Sequence, residues 1–503
     1  MILWCNYSAA MQKRHLILSI TSGLIMALSM PKPAIWLCAW VGLVPLLIAL
    51  RGATIKQAAL CGLVTGLVYY GIILYWITLF GYLPWILLII YQALYFALFA
   101  ALYTRLGPEK IGLWGYIAVP SVWTILQFIR TLGAYAFIWG SFSHTQANNP
   151  VIIQLASITG IWGIEFLVCL FNLVIICTLA PYTDKRRGMP AVIVAAITLA
   201  AVVFGYVTLA NAPEPGGSAR VAVIQGNMIN DFHPIPNYEA HAFETYSRMS
   251  LQAARWNPDL IVWPETTLPT NIITPGWEDV IEQLAKSAHS DLLVGGYDPS
   301  MNPALHGSYN SLNLYNANGH KMGVYHKVQL VPFGEFVPLR DQLPFLQNYG
   351  IRPEDVLAAK SHKLLRSSLG KIGVSICFES LFPEIARTET RSGATALVVV
   401  TNDAWFQRTQ AAREHEMMSR LRAVENRRYV IRAAGTGISA VIDPYGRPIA
   451  ELGIFKQGVI RQRISPITNL TIFTRFGPWF VYVCLMAAAA GLIISRSGKT
   501  ANS

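Results

Sequence analysis

The sequence predicts two fold classes in one chain: a polytopic α-helical membrane domain of about eight spans and an α/β domain whose sheet is covered by helices. Three observations carry this. The 503 residues are 53% hydrophobic and only 13% charged, with a mean hydropathy of +0.42, too apolar for an ordinary soluble protein of this size. Apolar segments recur at the length of a hydrocarbon core, and between two of them lies one long polar stretch of different periodicity.

The segments fall at about 15–30, 34–50, 57–80, 84–106, 111–129, 162–181, 189–211 and 478–495, each near the ~20 residues a bilayer requires. The first two are short and joined by Met30-Pro31-Lys32-Pro33, a pattern that also suits a re-entrant hairpin. A cleavable signal peptide is the other reading of the N-terminus, but the apolar segments that follow so closely favour an uncleaved first span. Lys and Arg set the orientation. With the N-terminus inside, cytoplasmic segments hold Lys13, Arg14, Arg51, Lys56, Arg105, Lys110, Lys185, Arg186, Arg187, Arg496 and Lys499, while the opposite short loops hold only Lys32 and Arg130. Both termini are therefore expected in the cytoplasm and the long segment outside. The net charge of +12 follows the same loops, so the expected partner is a bilayer and not nucleic acid.

Composition shifts at Asn211–Ser218, a Pro/Gly-rich stretch. The expected organisation is a membrane domain over 1–211 with seven spans, a linker over 212–218, a soluble domain over 219–468, and a final span with its tail over 469–503. Within the soluble part, β-branched runs at 220–225, 260–263, 292–294, 372–376, 396–400 and 429–432 alternate with amphipathic stretches such as 238–255 and 411–427.

Six of the seven cysteines, Cys5, Cys38, Cys61, Cys169, Cys177 and Cys484, lie in or beside apolar stretches, which leaves Cys377 alone in the soluble part. It ends a β-run, where α/β folds place functional groups. By itself such a cysteine reads as an inert core thiol. Glu265, after Trp263-Pro264 at another strand end, reads alone as a turn residue, and Lys327, ahead of a Pro/Gly-shaped loop, as a solvated charge. Together they supply what thiol acyl transfer needs: a nucleophile, a carboxylate that takes and returns a proton, and a cation for the thiolate and the developing oxyanion. The ten histidines show no metal-ligand spacing and no P-loop or dinucleotide fingerprint is present, so neither metal nor cofactor is expected.

Four motifs then stand in order: Trp263-Pro264-Glu265, Lys327 followed by Leu-Val-Pro-Phe-Gly-Glu-Phe-Val-Pro over 330–338, Cys377-Phe378-Glu379, and Thr-Asn-Asp-Ala-Trp-Phe over 401–406. They resemble the nitrilase superfamily, and in their spelling the apolipoprotein N-acyltransferase family. The resemblance covers nearly the whole chain. It implies a nitrilase-like αββα sandwich facing the periplasm from a multi-pass bacterial inner-membrane protein. It also implies a ping-pong reaction. Cys377 takes an acyl chain from a phospholipid, typically phosphatidylethanolamine, and passes it from a thioester to the α-amino group of a diacylglyceryl-cysteine at an apolipoprotein's N-terminus. In that scheme Glu265 is general base and acid, Lys327 stabilises the oxyanion, and Glu335 and Glu379 support them. Phe378 stands where many members carry tyrosine. A monomer is expected.

The chain departs from the family pattern at Gln407 and Ala411, where glycine is usual, at Gly435 and Thr436, where Asn-Asn is frequent, and after Gln225-Gly226-Asn227, where an exposed tryptophan gives way to Phe232, His233 and Ile235. Phe336, Leu343, Phe345, Leu346 and Tyr349 suit a lid that admits acyl chains, or a minor core under a long loop. Trp405 joins them as a substrate candidate. Glu165 in the sixth span is a functional candidate or a carboxylate in interfacial water. Arg130 suits a lipid phosphate or snorkelling to the interface. His415, Arg422 and Glu425 read as ion-pairing helix residues. Two other functions fit parts of the pattern: a membrane-tethered amidase or nitrilase with the same Glu-Lys-Cys triad, and a transporter or scaffold carrying a degenerate nitrilase domain.

Overall fold

The computed structural model describes residues 2–107, 112–179, 188–229, 236–272, 276–301, 307–337, 342 and 355–500. Two compact units emerge, one of helices (Met1–Leu132, Ala136–Ala210 and Pro478–Ser503) and one of sheets and helices (chiefly Asn211–Gly477).

The helical unit includes Ile2–Ala27, Ile55–Ile73, Tyr82–Leu106, Gly115–Ile129, Ile161–Leu179, Gly188–Ala210 and Trp479–Thr500. Thr54 caps the second of these: its hydroxyl accepts from the Gln57 N–H, and the Gln57 side chain accepts from the Thr54 N–H in return. Gly62 lets that helix lie against Tyr82–Leu106, because a Cβ there would sit 2.3 Å from the Phe96 carbonyl. Among the described residues, four helices are long and apolar enough to cross a membrane: Ile55–Ile73, Tyr82–Leu106, Ala191–Ala210 and Trp479–Arg496. The pair Pro150–Thr159 and Ile161–Ile176, bent by 120°, adds a fifth if it is one broken span. The expected segment at 34–50 breaks into a 3₁₀ turn, Trp36–Trp40, and a short helix, Val44–Ala49, with Pro45 in its first turn. The segment at 111–129 keeps only 15 helical residues, about 22 Å of rise. Hydropathy alone does not register where a backbone breaks, so these described helices do not reach the expected count of about eight.

The second unit is a four-layer αββα sandwich. Its strands are β1 (Ala219–Gln225), β2 (Leu260–Val262), β3 (Leu268–Asn271), β4 (Asp291–Pro299), β5 (Ser308–Tyr315), β6 (Lys321–His326), β7 (Leu365–Ser367), β8 (Gly370–Ile376), β9 (Ala396–Thr401), β10 (Val430–Ala434), β11 (Ser439–Ile442), β12 (Pro448–Leu452) and β13 (Gly458–Ile464). One sheet runs β13-β1-β2-β4-β5-β6 with β3 beside β4, and the other runs β12-β11-β10-β9-β8-β7. Each has a parallel centre, β1-β2-β4 and β8-β9-β10, flanked by antiparallel strands. The last strand, β13, returns to pair with β1 from Ala219↔Ile464 to Gln225↔Gly458, closing the first sheet with the end of the domain.

Period-two alternation dictates the layers. Val221 and Val223 of β1 face Val374, Ile376, Val398 and Val400 of the other sheet in the central core. Ala222 and Ile224 turn the other way, onto Tyr238, Ala242 and Tyr246 of helix Tyr238–Ala254. Across the sandwich, Leu397 and Val399 face out against Ala386 of helix Pro383–Arg391 and Ala423 of helix Ala411–Asn426. The six β-runs read from sequence all appear as strands. The strands between them, more polar or shorter, were not legible as such.

Leu314 lies wholly inside the central core, whereas Met322 on neighbouring β6 is 49% exposed. Leu314→Ala should therefore cost about 2–5 kcal/mol and Met322→Ala less than about 0.5 kcal/mol. Thermal unfolding of the full chain in detergent checks this; equal losses would place Leu314 outside the core.

Candidate active site

Three strand ends build the site. β2 stops at Val262, and Trp263 is locked inside by its indole N–H donating to Ser250 Oγ at 2.9 Å. The following turn brings Glu265 over β4, where Gly295 makes room: a Cβ there would lie 2.3 Å from the Pro264 carbonyl and 2.8 Å from the Thr266 nitrogen. β6 ends at His326, and Lys327 follows with its backbone N–H donating to the Asn310 carbonyl at 2.9 Å. β8 ends at Ile376, and Cys377 turns the chain into the 3₁₀ segment Cys377–Leu381 at φ 54°. A non-glycine residue held there stores on the order of 1–3 kcal/mol of backbone strain.

The charged groups meet tightly. Lys327 is 1% exposed, and its Nζ donates to Glu335 Oε1 at 2.9 Å and lies 3.6 Å from Glu265 Oε1. Asn310 Nδ2 bridges the same two carboxylates, at 2.8 Å from Glu265 Oε1 and 3.1 Å from Glu335 Oε1. The second oxygen of Glu265 accepts the Asn402 N–H at 2.7 Å, so the end of β9 in one sheet holds a carboxylate carried by the other. Glu335 Oε2 accepts from the Val331 N–H at 2.9 Å, which pins its loop. Glu379 joins the lysine and cysteine turns: Oε1 accepts from the N–H groups of Val328 at 2.7 Å and Gln329 at 3.1 Å, Oε2 from that of Ile376 at 2.7 Å, and the Tyr325 hydroxyl donates at 3.0 Å. Burial pushes the Glu379 carboxyl up to about 7 against these donors.

Burial opposes the Lys327 charge, but the Glu335 and Glu265 carboxylates outweigh it and hold the ammonium above its ordinary range. The Cys377 thiol is nevertheless raised well above its usual value, by burial first and by Glu265 next, with Lys327 only partly offsetting them. Burial, and not the lysine, therefore dominates the field at the Cys377 sulfur.

The structure thus brings together Glu265, Lys327, Cys377, Glu335 and Glu379. Phe378 is buried with its ring edge-on to Phe382. Phe336 and Trp405 are half-buried, in the turn after Glu335 and in the segment Asp403–Phe406. Phe345 and Tyr349, with Leu343, Leu346, Phe232, His233 and Ile235, lie outside the described residues. Glu165 and Arg130 are buried inside the helical unit. Glu165 accepts from Trp123 Nε1 at 3.0 Å and the Ser143 N–H at 2.7 Å. Arg130 donates to Gln92 Oε1 at 2.7 Å, to Gln127 and to the Trp139 carbonyl, with its guanidinium over the Tyr70 ring. These acceptors and the ring offset the cost of burying the charge.

The altered loops also have physical readings. Gln407 sits at φ 48°, the conformation glycine takes without cost. Gly437 is obligatory, since a Cβ would stand 2.2 Å from Asp403 Oδ2. Sequence reading missed Asn310 and Tyr325, which lie within strands and carried no motif signal. It also set His415 aside with the ion pair Arg422–Glu425, which is indeed present at 2.8 Å.

A two-sheet sandwich with this acid, lysine and cysteine at its strand ends defines the carbon–nitrogen hydrolase class of α/β enzymes, and residues 220–467 match the carbon-nitrogen hydrolase family. Residues 22–174 match the apolipoprotein N-acyltransferase N-terminal domain. The apolipoprotein N-acyltransferase of Geobacter metallireducens is 34% identical over 501 residues, 95% of each chain; those of Photobacterium profundum and Gloeobacter violaceus are 29% identical (96% of each chain) and 28% identical (95% of this chain, 94% of that one). This chain belongs to the apolipoprotein N-acyltransferase family. Among solved structures, a nitrilase-superfamily member from Saccharomyces cerevisiae is 22% identical with a TM-score of 0.40, covering 51% of this chain and 93% of that one. An amidase from Nesterenkonia is 18% identical with a TM-score of 0.39, covering 53% and 96%.

The opposed fields at Cys377 predict opposite variant effects. Lys327→Met removes the cation that lowers the thiol, so alkylation of Cys377 against pH should shift to higher pH. Glu265→Gln removes the anion that raises it and should shift the profile to lower pH. Peptide mass mapping of Cys377 reads both, and a shared direction would contradict the arrangement.

Proposed function

We propose that this enzyme transfers a fatty acyl chain from a membrane phospholipid to the N-terminal α-amino group of a diacylglyceryl apolipoprotein. The observation that carries the reading is the union, in one chain, of apolar spans with a site whose thiol is flanked by a carboxylate and a buried ammonium. Family membership supports lipoprotein N-acylation as the reaction class.

In the first half-reaction Cys377 gives its proton to Glu265 as sulfur attacks the ester carbonyl. Lys327 Nζ donates to the resulting oxyanion. Collapse breaks the ester C–O bond, Glu265 returns the proton to the departing lysophospholipid, and a thioester remains. In the second half the amine attacks the thioester, Glu265 takes the amine proton and returns it to the departing sulfur, and the C–S bond breaks to regenerate the thiol. Glu335 holds Lys327 at 2.9 Å throughout. Phosphatidylethanolamine is the proposed donor, because an abundant membrane lipid needs only lateral diffusion to reach such a site.

The proposed setting is a bacterial inner membrane, with residues 1–211 and 469–503 holding the spans and 219–468 in the periplasm beyond the linker 212–218. Basic residues clustered on the other side support it. Reporter fusions at Ser218 and Leu470 should score periplasmic, and fusions at Asp184 and the C-terminus cytoplasmic. A cytoplasmic score at Ser218 would separate the thiol from any exported acceptor.

Cys377→Ala should abolish both a hydroxylamine-sensitive acyl adduct and transfer. Glu265→Gln should lower both half-reactions by a factor on the order of 10² to 10⁴, and Lys327→Met by roughly 10² to 10³. Intact mass and transfer to a lipidated amine are the measurements. Release of free acid without need of the amine would instead favour a membrane-tethered amidase.

A further inference from the structure

We propose that His415, held by the Arg432–Asp403 pair, is a positioning residue that holds the Cys377 carbonyl and thereby the left-handed turn presenting the thiol. The inference rests on Cys377 being the nucleophile, and no step of the proposed acyl transfer uses an imidazole.

His415 is 1% exposed on helix Ala411–Asn426. Its Nε2 lies 3.1 Å from the Cys377 carbonyl oxygen. A carbonyl only accepts, so this nitrogen carries the hydrogen. Ser380 Oγ, 2.9 Å from the same nitrogen, donates to the same carbonyl at 2.8 Å. Two donors thus fix the peptide of a residue at φ 54° that has no glycine to relax it.

The ring's other side is equally constrained. In the neutral ring that carries its hydrogen on Nε2, Nδ1 accepts from a terminal N–H of Arg432 at 3.1 Å, with Asp403 Oδ1 3.0 Å away. Asp403 is in turn fixed by the Thr401 hydroxyl at 2.6 Å and by Arg432 at 3.0 Å. Burial is outweighed there by Arg432 and His415, which hold the Asp403 carboxyl down at about 2, so the anchor is a carboxylate at any physiological pH. The residue before it, Asn402, gives its N–H to Glu265 Oε2 at 2.7 Å. One turn after β9 therefore references both partners of the first proton transfer: the base directly, and the nucleophile's backbone through His415. A core network that only stabilised the fold would have no reason to end on the nucleophile's own carbonyl.

Glutamine tests this against a merely structural role, because its amide N–H reaches where His Nε2–H does, whereas asparagine reaches only the Nδ1 position. The full chain in detergent is acylated with 4-nitrophenyl palmitate, an activated fatty ester that needs no headgroup or amine acceptor. His415→Ala should slow acylation of Cys377 on the order of 10- to 100-fold with the half-saturating ester concentration unchanged within about 2-fold. His415→Gln should return to within about 3-fold of the parent, the scale of one retained hydrogen bond, and His415→Asn should not. If alanine prevents folding, the glutamine and asparagine variants decide by themselves. Wild-type rates in a folded His415→Ala, or no advantage of glutamine over asparagine at equal melting temperature, would overturn the brace while leaving Cys377 as nucleophile. Absence of any adduct on Cys377 in the parent, mapped by peptide mass with Cys377→Ala as control, would overturn the nucleophile assignment and the brace with it.

Discussion

A lysine ammonium taken out of water survives only beside opposite charge, and at Lys327 that requirement organises the site. Its Nζ has Glu335 at 2.9 Å and Glu265 at 3.6 Å. Two carboxylates drawn to one cation repel each other, and Asn310 relieves this by giving both a hydrogen bond from one amide nitrogen. Removing any member leaves a buried charge or a buried donor unmatched, so the four side chains behave as one unit. That unit also fixes geometry: the turn after Glu335 must stay closed, through Val331 N–H to Glu335 Oε2, for the lysine to keep its partner.

The thiol stands beside this cluster under opposing fields. Burial and Glu265 favour the neutral form, and Lys327 favours the anion. In the proposed reaction such a thiol is activated by handing its proton to Glu265 in step with bond formation. The strained turn at Cys377 belongs to the same economy of motion, since it offers the sulfur from a strand end that the sandwich core already anchors through Val374 and Ile376. Glu379 couples the two turns directly, taking N–H groups from Val328 and Gln329 on the lysine side and Ile376 on the cysteine side.

The helical unit follows a different logic. Its outer residues need no polar partner in lipid, but its interior holds Arg130 and Glu165, each satisfied by neighbouring amides, indoles and carbonyls. Such networks are tolerated in an apolar unit only when every polar atom is answered, and they specify one packing of helices over alternatives that hydrophobicity alone would allow.

Much was legible along the chain because it depends on near neighbours. The runs at 220–225, 372–376 and 396–400 are β-branched and appear as β1, β8 and β9; the apolar stretches at 84–106 and 189–211 are long enough to be helices in lipid and appear as Tyr82–Leu106 and Gly188–Ala210. Glu265, Lys327 and Cys377 were singled out by motifs at strand ends and a loop, and Glu335 and Glu379 by the family resemblance; the fold brings the five together. Tertiary structure alone could decide the rest. Asn310 sits mid-strand with no distinguishing neighbour, and only the packing of β5 beneath two carboxylates gives it a task. His415 lies 38 residues from Cys377, and its pattern on the helix is that of an ion-pairing face until the second sheet folds it under the nucleophile's carbonyl. Lys327, read from sequence as a cation for the thiolate and the oxyanion, meets two carboxylates in the fold, at 2.9 and 3.6 Å. A residue's type is set by the chain, but the field it exerts is set by what else the fold encloses with it.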